Sequence, residues 1–112
     1  MGLIIEEKLI ELRDLSGGND ELICVLLDKF LVNAEKYLES AKNALAEKNY
    51  EDVQFAMHTM KGSSMSLGLK DLGTLLTDLN QKCKDENYTN FEKSFEEMSE
   101  MIERVREYRA TF

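Results

Sequence analysis

EDVQFAMHTMKGSSMSLGLKD, residues 51–71, decides how this chain folds. A helical residue advances about 100° around the axis. On that wheel Val53, Ala56, Met57, Met60, Ser64 and Leu67 fall within about 60° of Met60 and form one apolar stripe. Asn49 stands before the stretch as an N-cap, and Glu51 and Asp52 suit the positive end of the helix dipole. Gly68 follows the last periodic residue, where a helix commonly ends in the left-handed region. The spacing therefore predicts an amphipathic helix over about residues 50–67. His58, the only histidine of the chain, lies about 160° from Met60 and so faces solvent.

Working outward, the same period recurs on both sides. SGGN at 16–19, KNYED at 48–52, LGLKD at 67–71 and DENYTN at 85–90 divide the chain into five helical pieces. The first, about 3–14, is short and apolar at Leu3, Ile4, Leu9 and Leu12. The second, about 20–47, follows Asn19 as N-cap and repeats Ile23, Leu26, Leu27, Phe30, Ala34, Tyr37, Leu38, Ala41 and Leu45. The fourth, about 69–84, carries Leu69, Leu72, Leu75, Leu76, Leu79 and Cys83. The fifth, about 90–109, opens with Thr89 and Glu92 spaced as a capping box, and buries Phe91, Phe95, Met98, Ile102 and Val105. No proline interrupts any of them. The pattern predicts an all-α fold, an antiparallel up-down four-helix bundle with the short first helix capping one end. At 112 residues it is expected to form one domain, 1–112.

Composition excludes several classes of function. A net charge of -8 argues against nucleic acid or an anionic membrane as partner. No apolar run reaches transmembrane length. Glu6, Glu7 and Glu11 interrupt any signal-peptide core, and Glu6 stands where a myristoylation signal needs Ser or Thr. The expected place is the cytoplasm. Cys24 and Cys83 are far apart, with no second histidine, which reads as two free thiols rather than a zinc site.

The exposed side of the third helix is unusual. Lys61 and Gly62 follow His58 at i+3 and i+4 and share its face, with Gln54 one turn before. Phe55 and Met65 flank them on the same exposed side. A glycine inside a helix costs about 1 kcal/mol relative to alanine, and close approach of another molecule explains it. Charge concurs. Residues 58–84 contain Lys61, Lys70, Lys82 and Lys84 against Asp71 and Asp78, a net of +2, so the remainder carries -10 of the total -8. A phosphoryl group, or an acidic pocket on a partner, would be drawn to that window.

No serine or carboxylate forms a hydrolytic constellation with His58. An exposed imidazole beside an ammonium suits nucleophilic attack on phosphorus instead. An ordinary histidine near pH 7 is mostly neutral and has a free nitrogen lone pair. A nearby lysine can then meet the phosphoryl oxygens as a point charge.

HTMKGSSMSLG, residues 58–68, resembles the His-x-x-Lys-Gly-x-x-x-x-x-Gly signature of histidine-containing phosphotransfer (HPt) domains. Leu72, Leu75, Leu76 and Leu79 are similar to the leucine pattern of that family's next helix. The resemblance implies a carrier, not an enzyme, in two-component phosphorelays. It makes His58 the phosphoryl acceptor and Lys61 the charge partner of the phosphoryl group. Asn80 takes the place of a Gln or Glu that orients the imidazole. Gln54, Phe55, Gly62, Met65 and Lys84 would form the docking surface. It further implies a monomer with no cofactor of its own. The partners would be receiver domains of a hybrid sensor kinase and of a response regulator, which bring the aspartate and Mg²⁺. Two rival readings are the phosphorylated domain of a chemotaxis-type kinase and a helical adaptor that is not phosphorylated.

Overall fold

The computed structural model describes residues 20–112, and within them the chain forms four α-helices. α1 spans Asp20–Ala46, α2 Tyr50–Ser66, α3 Lys70–Lys84 and α4 Phe91–Arg109. The short capping helix expected over 3–14, and the Asn19 cap, lie outside the described residues.

Each helix packs on two neighbours: α1 on α2 and α4, and α3 on α2 and α4. With connections as short as 47–49 and 67–69, consecutive helices must run antiparallel, and the four close into an up-down bundle. The stripes read from the sequence meet inside it. Ile23, Leu27 and Ala41 of α1, Val53, Met57 and Met60 of α2, Leu72, Leu76 and Leu79 of α3, and Phe91, Met98 and Val105 of α4 are all buried. Burying a side chain of the Val, Leu or Phe class contributes roughly 1.5–3 kcal/mol, which is what holds helices that would be marginal alone. Both cysteines are free thiols, Cys24 half-buried and Cys83 buried. Burial pushes the Cys83 thiol pKa above its ordinary value, against a weaker downward pull from the Tyr88 hydroxyl.

Three helices end the same way. Leu69 N–H donates to Ser64 O at 2.9 Å and Gly68 N–H to Met65 O at 3.1 Å, with Gly68 at φ 71°. This is the Schellman pattern, and it satisfies carbonyls the helix leaves open. At the end of α1 the pair is Asn49 to Ala44 and Lys48 to Leu45, with Lys48 at φ 60°. At the end of α3 it is Asn87 to Lys82 and Glu86 to Cys83, with Glu86 at φ 57°. Only one of the three left-handed positions is glycine; the other two, Lys48 and Glu86, fall in the KNYED and DENYTN stretches that mark helix breaks in the sequence.

Helix starts differ. Asn49 caps α2 as expected, its Oδ1 accepting from Asp52 N–H at 3.4 Å. The capping box expected of Thr89 and Glu92 does not form. Asn90, in the left-handed region at φ 64°, is the N-cap of α4, and its side chain makes no capping hydrogen bond. The physical reason is the aromatic cluster beneath. Phe91 is fully buried, 5.2 Å from the Tyr88 ring and edge-on to Phe95, while Tyr88 stacks on Tyr50 at 4.1 Å. Seating Phe91 there outweighs one capping hydrogen bond of about 1 kcal/mol.

Candidate functional site

The site is built on the outer face of α2. Because Val53, Ala56, Met57, Met60 and Ser64 are buried, the opposite face is turned outward. His58 is exposed there, and its imidazole makes no hydrogen bond or ion pair with the described residues. Lys61, one turn on, is half-buried and Gly62 exposed. A Cβ placed on Gly62 would meet nothing within 4 Å, so the fold does not need a glycine at this position. Gln54 is half-buried on the preceding turn.

Two different surfaces flank this face. Toward α1, Phe55 is 62% exposed and its ring meets Tyr37 edge-on, with centroids 6.4 Å apart. Toward α3 lies a groove of about 730 Å³, walled by Lys61 and Met65 from α2 and by Gly73, Thr77, Asn80 and Lys84 from α3. Lys70 also opens onto it, while Asp78 is paired with Lys82 at 3.2 Å. The residues singled out in the sequence thus divide in space. Lys61, Met65, Asn80 and Lys84 share the groove. Gln54 and Phe55 do not line it, and His58 stands on the open face outside it.

Asn80 is buried, and its Nδ2 donates to Leu76 O at 3.0 Å within α3. That hydrogen bond goes to the backbone and not to the imidazole. It leaves Oδ1, an acceptor, as the unused end of a side chain that lines the groove. Gly73 and Thr77 are groove residues that sequence reasoning missed, and Gly73 is the telling one. It sits among leucines, and the side chain it touches, Met65, belongs to another helix. Among the described residues no group of three or more His, Cys, Asp or Glu side chains could hold a metal ion. No helix among them is long and apolar enough to cross a membrane.

A four-helix bundle that presents one exposed imidazole, an amine one turn away and a bare glycine beside both matches the arrangement expected of an HPt domain. The family model of the Hpt domain matches residues 25–108, and this chain belongs to that family. The fold is that of the crystal structure of histidine-containing phosphotransfer protein B (HptB) from Pseudomonas aeruginosa PAO1. The TM-score is 0.83 over 98% of this chain and 96% of that one, at 21% identity. In sequence the chain is similar to the phosphorelay intermediate protein rdeA of Dictyostelium discoideum, 25% identical over 92 residues. The match covers 82% of this chain and 36% of that protein.

Proposed function

We propose that the chain receives a phosphoryl group on His58 from the aspartyl phosphate of one receiver domain and passes it to the aspartate of another. The observation that carries this reading is the placement of the chain's one imidazole. It stands exposed on the middle of a helix, opposite the buried stripe, beside Lys61 and the unshielded Gly62. In the forward step an unprotonated ring nitrogen attacks phosphorus. A P–N bond forms, the P–O bond to the donor carboxylate breaks, and the electron pair leaves with the carboxylate. The reverse step runs through the same atoms with the acceptor's carboxylate as nucleophile. Lys61 offers its ammonium to the phosphoryl oxygens. Asn80 offers Oδ1 from the neighbouring helix, directly or through a bridging water, to the imidazole N–H. Mg²⁺ and the aspartate belong to the receiver domains, so most of the charge stabilisation is the partner's. On this reading the chain is a cytoplasmic carrier rather than an enzyme, and it works as a monomer. Its partners are the receiver domains of a hybrid sensor kinase and of a response regulator.

The test is phosphoryl transfer from a phosphorylated receiver domain, followed by characterisation of the adduct. His58 should be the sole acceptor, with an acid-labile, base-stable bond. His58→Gln should abolish labelling and leave helicity and Tm unchanged. Acid-labile phosphate remaining on that variant would sink the assignment, and a wild type that no receiver labels would favour the adaptor reading.

A further inference from the structure

Two glycines lie inside helices of this site, and they do different things. Gly62 faces open space. Gly73 is buried in α3, and a Cβ built on it would lie 3.3 Å from Met65 Cγ, closer than the usual 3.5–4.0 Å between carbon atoms. Glycine is the least favourable residue inside a helix apart from proline. The backbone of Gly73 is helical, with no positive φ to call for it. What the missing side chain provides is a notch in α3. Met65 of α2 lies across that notch although it is 56% exposed. Methionine is unbranched and flexible, and free on a surface it would sample many rotamers.

We propose that Gly73 is a positioning residue for partner docking: its notch seats Met65 against α3, so that this side chain forms a fixed wall of the groove beside Lys61. The proposal rests on the phosphotransfer reading and commits the groove to one occupant, the receiver domain. The chemistry of the groove fits that occupant. Lys61, Lys70 and Lys84 line it, the acidic Asp78 is paired with Lys82, and the partner must bring a phosphorylated carboxylate. Met65 is one turn beyond Lys61, so its position decides how closely the partner can approach that amine. A methyl group at residue 73 would crowd Met65 Cγ, so that this side chain must give by a few tenths of an ångström and the wall that the receiver meets is altered. Helix propensity then works against function: the variant better suited to the helix is the worse docking partner.

The experiment compares wild type, Gly73→Ala, Met65→Ala and the double variant. It uses a purified receiver domain that exchanges phosphate with the wild type, and phosphoramidate as a donor that needs no docking surface. For Gly73→Ala the KM for the phosphorylated receiver should rise roughly fivefold, the size expected when one wall contact of an interface is lost. kcat, phosphoramidate labelling of His58 and Tm should hold, or Tm should rise. Met65→Ala should raise KM by a similar factor, and adding Gly73→Ala to it should change nothing more. An unchanged KM in either single variant overturns the proposal. So does an undiminished effect of Gly73→Ala without Met65, or a rise in KM and a loss of labelling that merely follow a lower Tm. If the wild type takes no phosphate on His58 from either donor, the phosphotransfer reading itself has failed.

Discussion

The seam between α1 and α4 and the seam between α2 and α3 run along the same bundle and are finished in different ways. The first is stitched by charge. Arg109 grips Asp28 through Nε at 2.8 Å and Nη2 at 3.3 Å, and Arg106 reaches Glu35 on α1 and Glu103 on its own helix. Asp28 holds the Arg109 guanidinium pKa above even its ordinary high value. The second seam is left as a groove with glycine in one wall and lysines along it. A helix that must admit a partner cannot also be roofed by long paired side chains. The difference teaches where each kind of substitution should be felt: in stability on the closed side and its core, in transfer on the open side.

The largest effect should come from the core that both seams enclose. Phe91→Ala removes a fully buried ring that touches Tyr88 and Phe95. It should lower stability by about 3–5 kcal/mol in a denaturant titration, a large share of the roughly 5–15 kcal/mol typical of a domain. His58 should still be labelled in the molecules that remain folded. Labelling lost beyond the unfolded fraction would break the separation between stability and transfer.

On the open side the expected sign reverses. Gly62→Gln adds a side chain where nothing stands within 4 Å, so Tm should stay or rise. Exchange with every receiver domain should fall more than about tenfold, because reacting atoms must come within roughly 3–3.5 Å. Phosphoramidate, if it labels the wild type, should still label this variant. Equal losses with both donors would mean that the substitution harmed the histidine itself. Lys61→Ala should be milder. Loss of one charged contact in a partly exposed site is worth on the order of 1 kcal/mol, roughly fivefold in rate. A transfer rate unchanged at low ionic strength would leave Lys61 as a solvated charge.

The smallest effect belongs to the stitched seam. Glu35 is largely exposed and Arg106 half-buried, and a solvent-screened pair of this kind contributes no more than about 0.5–1 kcal/mol. Arg106→Ala should therefore shift the denaturation midpoint slightly, more at low salt than at high, and leave receiver exchange rates alone. A clear drop in exchange would show that the closed seam also serves docking.

How much of this was legible beforehand depended on whether the cause lay within one helix. The stripe of α2 and the outward turn of His58 follow from a period of 3.6, so the wheel placed them. Asn49 caps its helix by a bond to a residue three positions on, and was legible for the same reason. Thr89 was not, because Phe91 is seated by Tyr88 and Phe95 and the chain reaches α4 through a left-handed Asn90. The Asn80 hydrogen bond to Leu76 is local, but the burial of Asn80 comes from packing between helices. Gly73 was the hardest, since its meaning is the Met65 side chain across the seam. The division of the flanking residues between the Tyr37 side and the groove side is likewise a matter of helix packing, which periodicity does not report.

The order of the helices around the bundle also has a kinetic side. α1–α2, α2–α3 and α3–α4 are contacts between chain neighbours, reached by closing short loops, which takes about 10–100 ns for ten residues. The α1–α4 contact joins residues as far apart as Asp28 and Arg109, and it can form only after a long stretch of chain has been gathered in. The ion pairs along that seam are therefore late arrivals. They do little to speed folding, and they act mainly by slowing the first parting of the outer helices when the bundle opens.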